Sequence, residues 1–250
     1  MRTLESAAAL YKRGFYDEAL DTIECSLASE PHNGRLWELR GLILRALGDI
    51  PLATDSLEHA SLLAPLSASG QVTLADCLAR TGHNSVAICI AEHVLSLKCI
   101  EWSLLLYLAQ VCDRCGRADL SIELCRAVNQ QAPQCHQAYY DLGYYLGRAR
   151  QPLPEIEAVV RRAIQLAPQV ANYRVGLASL WWQQGNAESA YREAETLSDP
   201  DLKRLTCECC LRRLVKIFWS AGDYAKSQIC VERLDELDGD SHQSDAGCCL

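Results

Sequence analysis

Glycine recurs along this chain at a fixed interval. Gly14, Gly48, Gly82 and Gly116 are spaced 34 residues apart, the next step falls on Arg150, and the series resumes at Gly185 and Gly222. Prolines keep the same beat at Pro31 and Pro65, lapse at Cys99, and return at Pro133 and Pro168. Small residues follow five positions after the glycine slot: Ala19, Ala53, Ala87, Ser121, Ala190 and Ser227. Self-similarity at such a period marks a repeat architecture. Each unit buries its apolar face against its neighbours, so no single central core is required.

Inside each unit, apolar residues recur at three- and four-residue spacing on both sides of the glycine, which is the helical signature. In the second unit Trp37, Gly41 and Leu44 form one stripe, and Ala53, Leu57 and Ala60 another. The glycine between them ends the first helix in a tight turn, and the proline ends the second. Gly41 and Ala53 allow two helices to approach closely. The units run 1–33, 34–67, 68–101, 102–135, 136–170, 171–207 and 208–238. They predict fourteen helices, with the last three over 187–197, 201–221 and 224–237. The prolines of Gln151-Pro152-Leu153-Pro154 suit a rigid turn followed by a helix start. The polar tail 239–250 lacks helical periodicity and reads as disordered.

This pattern resembles the tetratricopeptide repeat family over nearly the whole chain. The second copy carries Trp37, Arg40, Gly41, Leu44, Ala53, Leu57, Ala60 and Pro65. The fifth carries Tyr139, Leu142, Gly143, Leu146, Ala163 and Pro168. Arg40 departs from the family's usual leucine. The resemblance implies an all-α, right-handed superhelical solenoid of antiparallel helical hairpins, read as a single array over 1–238. It also implies that the first helix of each pair lines a concave surface.

Composition narrows the function. The chain has 24 Lys+Arg against 32 Asp+Glu, a formal net charge of −8, which disfavours nucleic acid as a partner. No apolar run reaches the ~18–20 residues of a membrane span, and the start, Met1 to Gly14, reads as an amphipathic helix without a secretory apolar region. A cytoplasmic protein without a membrane partner is expected. The 14 cysteines include Cys112-x-x-Cys115 and the clusters Cys207/Cys209/Cys210 and Cys248/Cys249, but no second ligand pair completes a zinc spacing. Most are expected to be reduced, buried packing residues, with Cys112 and Cys125 in core slots and no metal or other cofactor. Cys248 and Cys249 in the tail are expected to react readily. Phosphate-loop, dinucleotide, nucleophile-elbow and zinc-protease motifs are all missing, and the six histidines are scattered. An enzyme is therefore not expected.

The expected concave positions differ along the chain. In the early units they hold Leu4, Ala8, Leu39, Leu42, Val72 and Asp76, which lack the Asn and Lys/Arg of the family's carboxylate clamp. Later units carry Tyr140, Tyr144, Arg148, Trp182, Arg212, Lys216 and Trp219. Aromatics with arginines favour protein recognition, so these seven are the expected partner-binding residues. Trp181 is assigned to the core, which frees Trp182. The expected function is a scaffold or adaptor that binds a protein or peptide, with an acidic segment as the candidate partner. The alternatives are a regulatory or targeting subunit of an enzyme complex, and a self-assembling structural protein. The last helix offers Ile229, Leu234 and Leu237 as an edge for weak self-association.

Overall fold

The computed structural model describes residues 2–97 and 100–239, which form fifteen α-helices and no strand. They fall into two units divided between Gln131 and Ala132. The amino-terminal unit holds four hairpins. These pair α1 (Arg2–Lys12) with α2 (Tyr16–Ser29), α3 (Gly34–Leu47) with α4 (Ile50–Leu63), α5 (Ala68–Arg80) with α6 (Asn84–Ser96), and α7 (Trp102–Arg114) with α8 (Ala118–Gln131). The carboxy-terminal unit pairs α9 (His136–Arg148) with α10 (Leu153–Leu166) and α11 (Ala171–Gln183) with α12 (Ala187–Ala194). The short α13 (Asp199–Arg204) follows, and then α14 (Glu208–Ala221) with α15 (Tyr224–Gly239). Cys99, Cys248, Cys249 and the expected tail from 240 onward lie outside the described residues.

One turn closes every hairpin. The six slot glycines have φ between +76° and +90°, in the left-handed region. The amide after each slot reaches back to a carbonyl five residues earlier: Phe15 to Leu10, Asp49 to Leu44, His83 to Leu78, Arg117 to Cys112, Gln151 to Leu146, Asn186 to Trp181 and Asp223 to Phe218, at 2.8–3.0 Å. This is the Schellman termination. Arg150, the lapse in the glycine series, adopts the same geometry with φ 54°. A side chain there crowds the backbone.

Close packing holds the two helices of a hairpin together. A Cβ built on Gly41 would lie 2.5 Å from Leu57 Cγ and 3.2 Å from the Ala53 carbonyl oxygen, and one on Gly143 would lie 2.5 Å from Val160 Cγ2. Trp37 donates its indole N–H to the Pro31 carbonyl at 2.8 Å and meets His59 edge-on. Arg40, the departure from the family pattern, donates to Ser56 Oγ of α4 at 2.7 Å and pairs with Glu24 of α2 at 3.3 Å. A charged residue at an apolar position thus joins three helices through its guanidinium. Ala7, Ala19, Ile23, Leu36 and Ile43 form the core of the first hairpins.

The structure departs from expectation after α12. The single helix anticipated over 201–221 is two, α13 and α14, broken at Leu205–Cys207. Ser198 and Asp201 form a reciprocal capping box, with Pro200 in the first turn, which starts α13. Leu202 and Leu205 are then buried in the unit's core, and Arg233 Nε donates to the Leu205 carbonyl at 2.9 Å. Burial of two leucines and capture of a freed carbonyl outweigh the local preference to continue the helix. The apolar residues of the last helix, Ile229, Leu234 and Leu237, pack half-buried on this same core.

Replacing Arg150 with glycine should relieve the turn. We expect Arg150→Gly to raise stability by about 0.5–1 kcal/mol, the left-handed penalty less the added freedom of the unfolded chain. Urea unfolding followed by circular dichroism checks this; an unchanged or lower midpoint would show no strain at Arg150.

Candidate partner-binding surface

The seven expected residues all lie in the carboxy-terminal unit, and the structure treats them in three ways. Arg212, Lys216 and Trp219 occupy one face of α14, at helical spacings of four and three residues. All three are exposed, Trp219 at 64%. The Trp219 ring meets Tyr224 of α15 edge-on at 4.9 Å, and Arg212 makes an exposed pair with Glu208 at 3.4 Å. Tyr144 and Arg148 form a second pair on α9, the guanidinium lying 6.0 Å from the ring centre. They border an open cleft of about 440 Å³ that Gly147, Arg150, Leu180 and Gln183 also line.

Tyr140 and Trp182 sit differently. Tyr140 is buried, stacks on Tyr173 at 4.6 Å, and donates its hydroxyl to the Asn172 carbonyl at 3.4 Å. Its ring joins α9 to α11 and presents little surface to a partner. Trp182 and Trp181 are both half-buried and pack on the core of this unit.

Beside Tyr140 runs a polar chain. The Tyr173 hydroxyl lies 2.6 Å from His136 Nδ1 and donates to Gln137 Oε1 at 2.9 Å; Gln137 Nε2 donates to Asp141 Oδ1 at 2.7 Å. Burial pushes the Asp141 carboxyl up to about 6, against the small opposing effect of Gln137. The other carboxylate oxygen, Oδ2, is buried without a hydrogen-bond partner.

The amino-terminal unit holds a cluster not anticipated from sequence. Asp76 of α5 is fully buried, and three arginines converge on it. Arg45 Nε of α3 lies at 2.5 Å, Arg80 Nε of α5 at 2.9 Å and Arg114 Nη1 of α7 at 2.6 Å. Burial opposes the charge on Asp76, but hydrogen bonds from Tyr107, Arg45 and Arg80 together with the Arg45 charge hold its carboxyl below the usual range. The same burial and the Asp76 charge push the Tyr107 hydroxyl up. The missed signal was periodic: Arg80, Arg114 and Arg148 are spaced 34 residues apart, and only the last was singled out.

The buried cysteines are placed to pack. Cys112 and Cys125 are fully buried, as their core slots required. Burial pushes the Cys112 and Cys230 thiols up to about 12 and that of Cys77 to about 11, away from the reactive thiolate. Cys207, Cys209 and Cys210 are the one group of three or more potential metal-ligand side chains close together among the described residues, their sulfurs within 4.8 Å of one another.

Comparison with known proteins places these hairpins. Residues 4–60 match the tetratricopeptide repeat family. Over that segment the chain is similar to tetratricopeptide repeats. Solved structures extend the likeness beyond that segment. The C-terminal part of a tetratricopeptide repeat-containing protein from Cytophaga hutchinsonii superposes with a TM-score of 0.67 at 14% identity, covering 96% of both chains. PilW, described as a widely conserved type IV pilus biogenesis factor, gives 0.67 at 20% identity over 78% of this chain and 90% of its own. YrrB, described as a repeat protein with an unusual peptide-binding site, gives 0.55 at 15% identity over 67% and 86%. At these identities the tetratricopeptide fold is what is shared. No curated protein matches the sequence. No helix among the described residues is long and apolar enough to cross a membrane.

The fully buried Asp76 and the half-buried Asp141 should shape stability in opposite directions. The depressed Asp76 contributes stability that is present above about pH 4 and lost as pH falls through its folded value. Asp141, raised to about 6, does the reverse: from about pH 4 to 6 the unfolded chain releases its proton while the fold retains it. We expect Asp141→Asn to gain roughly 2 kcal/mol on the wild type between pH 4 and pH 7. Parallel urea titrations at the two pH values measure the gap; a gap independent of pH would place the Asp141 carboxyl in its ordinary range.

Proposed function

We propose that this chain is a non-catalytic interaction scaffold whose carboxy-terminal unit binds an acidic partner segment carrying an apolar anchor. The observation that carries the reading is the face of α14, where Arg212, Lys216 and Trp219 stand together in solvent. An exposed tryptophan flanked by cations, in a chain of net charge −8, is costly to leave bare and suited to recognition. The indole supplies desolvated area, and the cations steer an acidic segment and fix its register. Tyr144 and Arg148 extend the same chemistry to the cleft at the end of α9, with room for a side chain. Tyr140 acts behind this surface by bracing α9 against α11. The YrrB description of a peptide-binding site agrees with this use of the fold.

The test uses a partner obtained by co-purification and confirmed by direct titration. Trp219→Ala should weaken binding by about 2 kcal/mol, roughly 30-fold. Arg212→Glu should chiefly slow association and flatten its dependence on salt. Unchanged affinity for both variants, with the helical circular dichroism intact, would remove the partner from α14.

A further inference from the structure

The cluster around Asp76 carries more positive charge than a structural ion pair requires. Three guanidinium groups face one carboxylate, which leaves a local excess of two positive charges within hydrogen-bonding distance of a single side chain. Like charges so close repel one another. Two arginines would already satisfy the acceptor capacity of a buried aspartate, with Tyr107 completing it.

Each arginine spends one N–H on Asp76. Arg45 uses Nε, Arg80 uses Nε across both carboxylate oxygens, and Arg114 uses Nη1. The remaining donors of the three side chains meet no hydrogen-bond acceptor among the described residues. The side chains stay accessible, with relative exposures of 22%, 38% and 36%, while Asp76 has none. Asp76 therefore works as a buried peg that gathers three guanidinium groups and fixes one edge of each. The other edges are left to the solvent side of α3, α5 and α7, the first helices of three successive repeats.

We propose that this triad is a receptor for a phosphate monoester, carried on a phosphorylated side chain of a partner peptide. The charge decides between candidate anions. A phosphomonoester brings about −1.5 to −2 at neutral pH and three strong acceptor oxygens, which matches an excess of two charges on three separate donors; a lone carboxylate would balance half of it. Arginine forks also suit phosphate by shape. The site lies wholly in the amino-terminal unit and stands independently of the α14 surface.

The probes are a short phosphoserine peptide, the same peptide with serine, the same peptide with glutamate, and inorganic phosphate. They are titrated into the full chain by calorimetry and by following the Arg45, Arg80 and Arg114 side-chain Nε–Hε signals in nuclear magnetic resonance. The expected result is phosphopeptide binding about tenfold or more tighter than either unphosphorylated peptide, with all three arginine signals shifting. Arg114→Gln and Arg80→Gln should each lose about tenfold, since two arginines still hold Asp76 and keep the fold. Asp76→Asn, which keeps an acceptor but loses the charge that gathers the three guanidinium groups, should weaken phosphopeptide binding. Inorganic phosphate should shift the same signals at higher concentration; if it binds as tightly as the phosphopeptide, the receptor is for the free ion and the peptide assignment is overturned. A glutamate peptide as good as the phosphopeptide, or arginine signals that stay still in the wild type, would overturn it outright.

Discussion

Each hairpin in this protein turns on one residue in left-handed backbone, and the amide that follows it reaches back to a carbonyl five residues earlier. That bond ends the first helix at a fixed rotation, so the side chain that begins the next helix always emerges in the same direction. The second constraint is contact distance. Gly41 and Gly143 let their partner helices come within reach of Leu57 and Val160, where any side chain would have to displace them. A turn of fixed geometry, repeated seven times, makes the repeats equivalent within each unit, and in two hairpins a glycine adds close contact between the paired helices. The arrangement survives Arg150 in a glycine slot because the hydrogen bond is kept, at the cost of a strained φ.

Equivalence of repeats is what turns residue positions into surfaces. Because first helices follow one another in phase, residues one period apart occupy corresponding places. In the amino-terminal unit this brings Arg80 and Arg114 to the same carboxylate although they are distant in sequence. In the carboxy-terminal unit, contact between successive first helices stacks Tyr140 on Tyr173, while helical spacing within α14 leaves Arg212, Lys216 and Trp219 facing outward. Asp76 and Asp141, one in each unit, have opposite environments. Asp76 is ionised inside a cage of donors, whereas Asp141 has one amide donor and a bare oxygen. The number of donors within reach separates the two: the fully buried Asp76 is held by several, the half-buried Asp141 by one.

Much of the fold was legible because the 34-residue spacing is written in residue types with direct backbone meaning: glycine for the left-handed turn, proline for the helix end. The break between α13 and α14 was not, since Leu205, Thr206 and Cys207 hold no glycine or proline. The chain leaves the helix there because Leu205 is drawn into the core and Arg233 takes its carbonyl. The surface was harder to read. Helical spacing puts Arg212, Lys216 and Trp219 on one face of a single helix. It could not see that Tyr173, on another helix, would cover Tyr140. The arginine cluster was missed because Arg45 sits one place out of phase with Arg80 and Arg114, and because Asp76 was weighed alone, without the cations that make it a peg.

The central claim is that partners are taken on the first helices of these repeats. Site-specific photo-crosslinking in the native cell tests it most directly. A photoreactive residue would be placed at the exposed position 216 on α14 or, as the counterpart, at the exposed position 228 on α15. A specific adduct from position 216 that is weak or absent from position 228 is the expected result. Adducts from position 228 alone would show that the partner lies along the second helices, and the first-helix face would lose its assigned role.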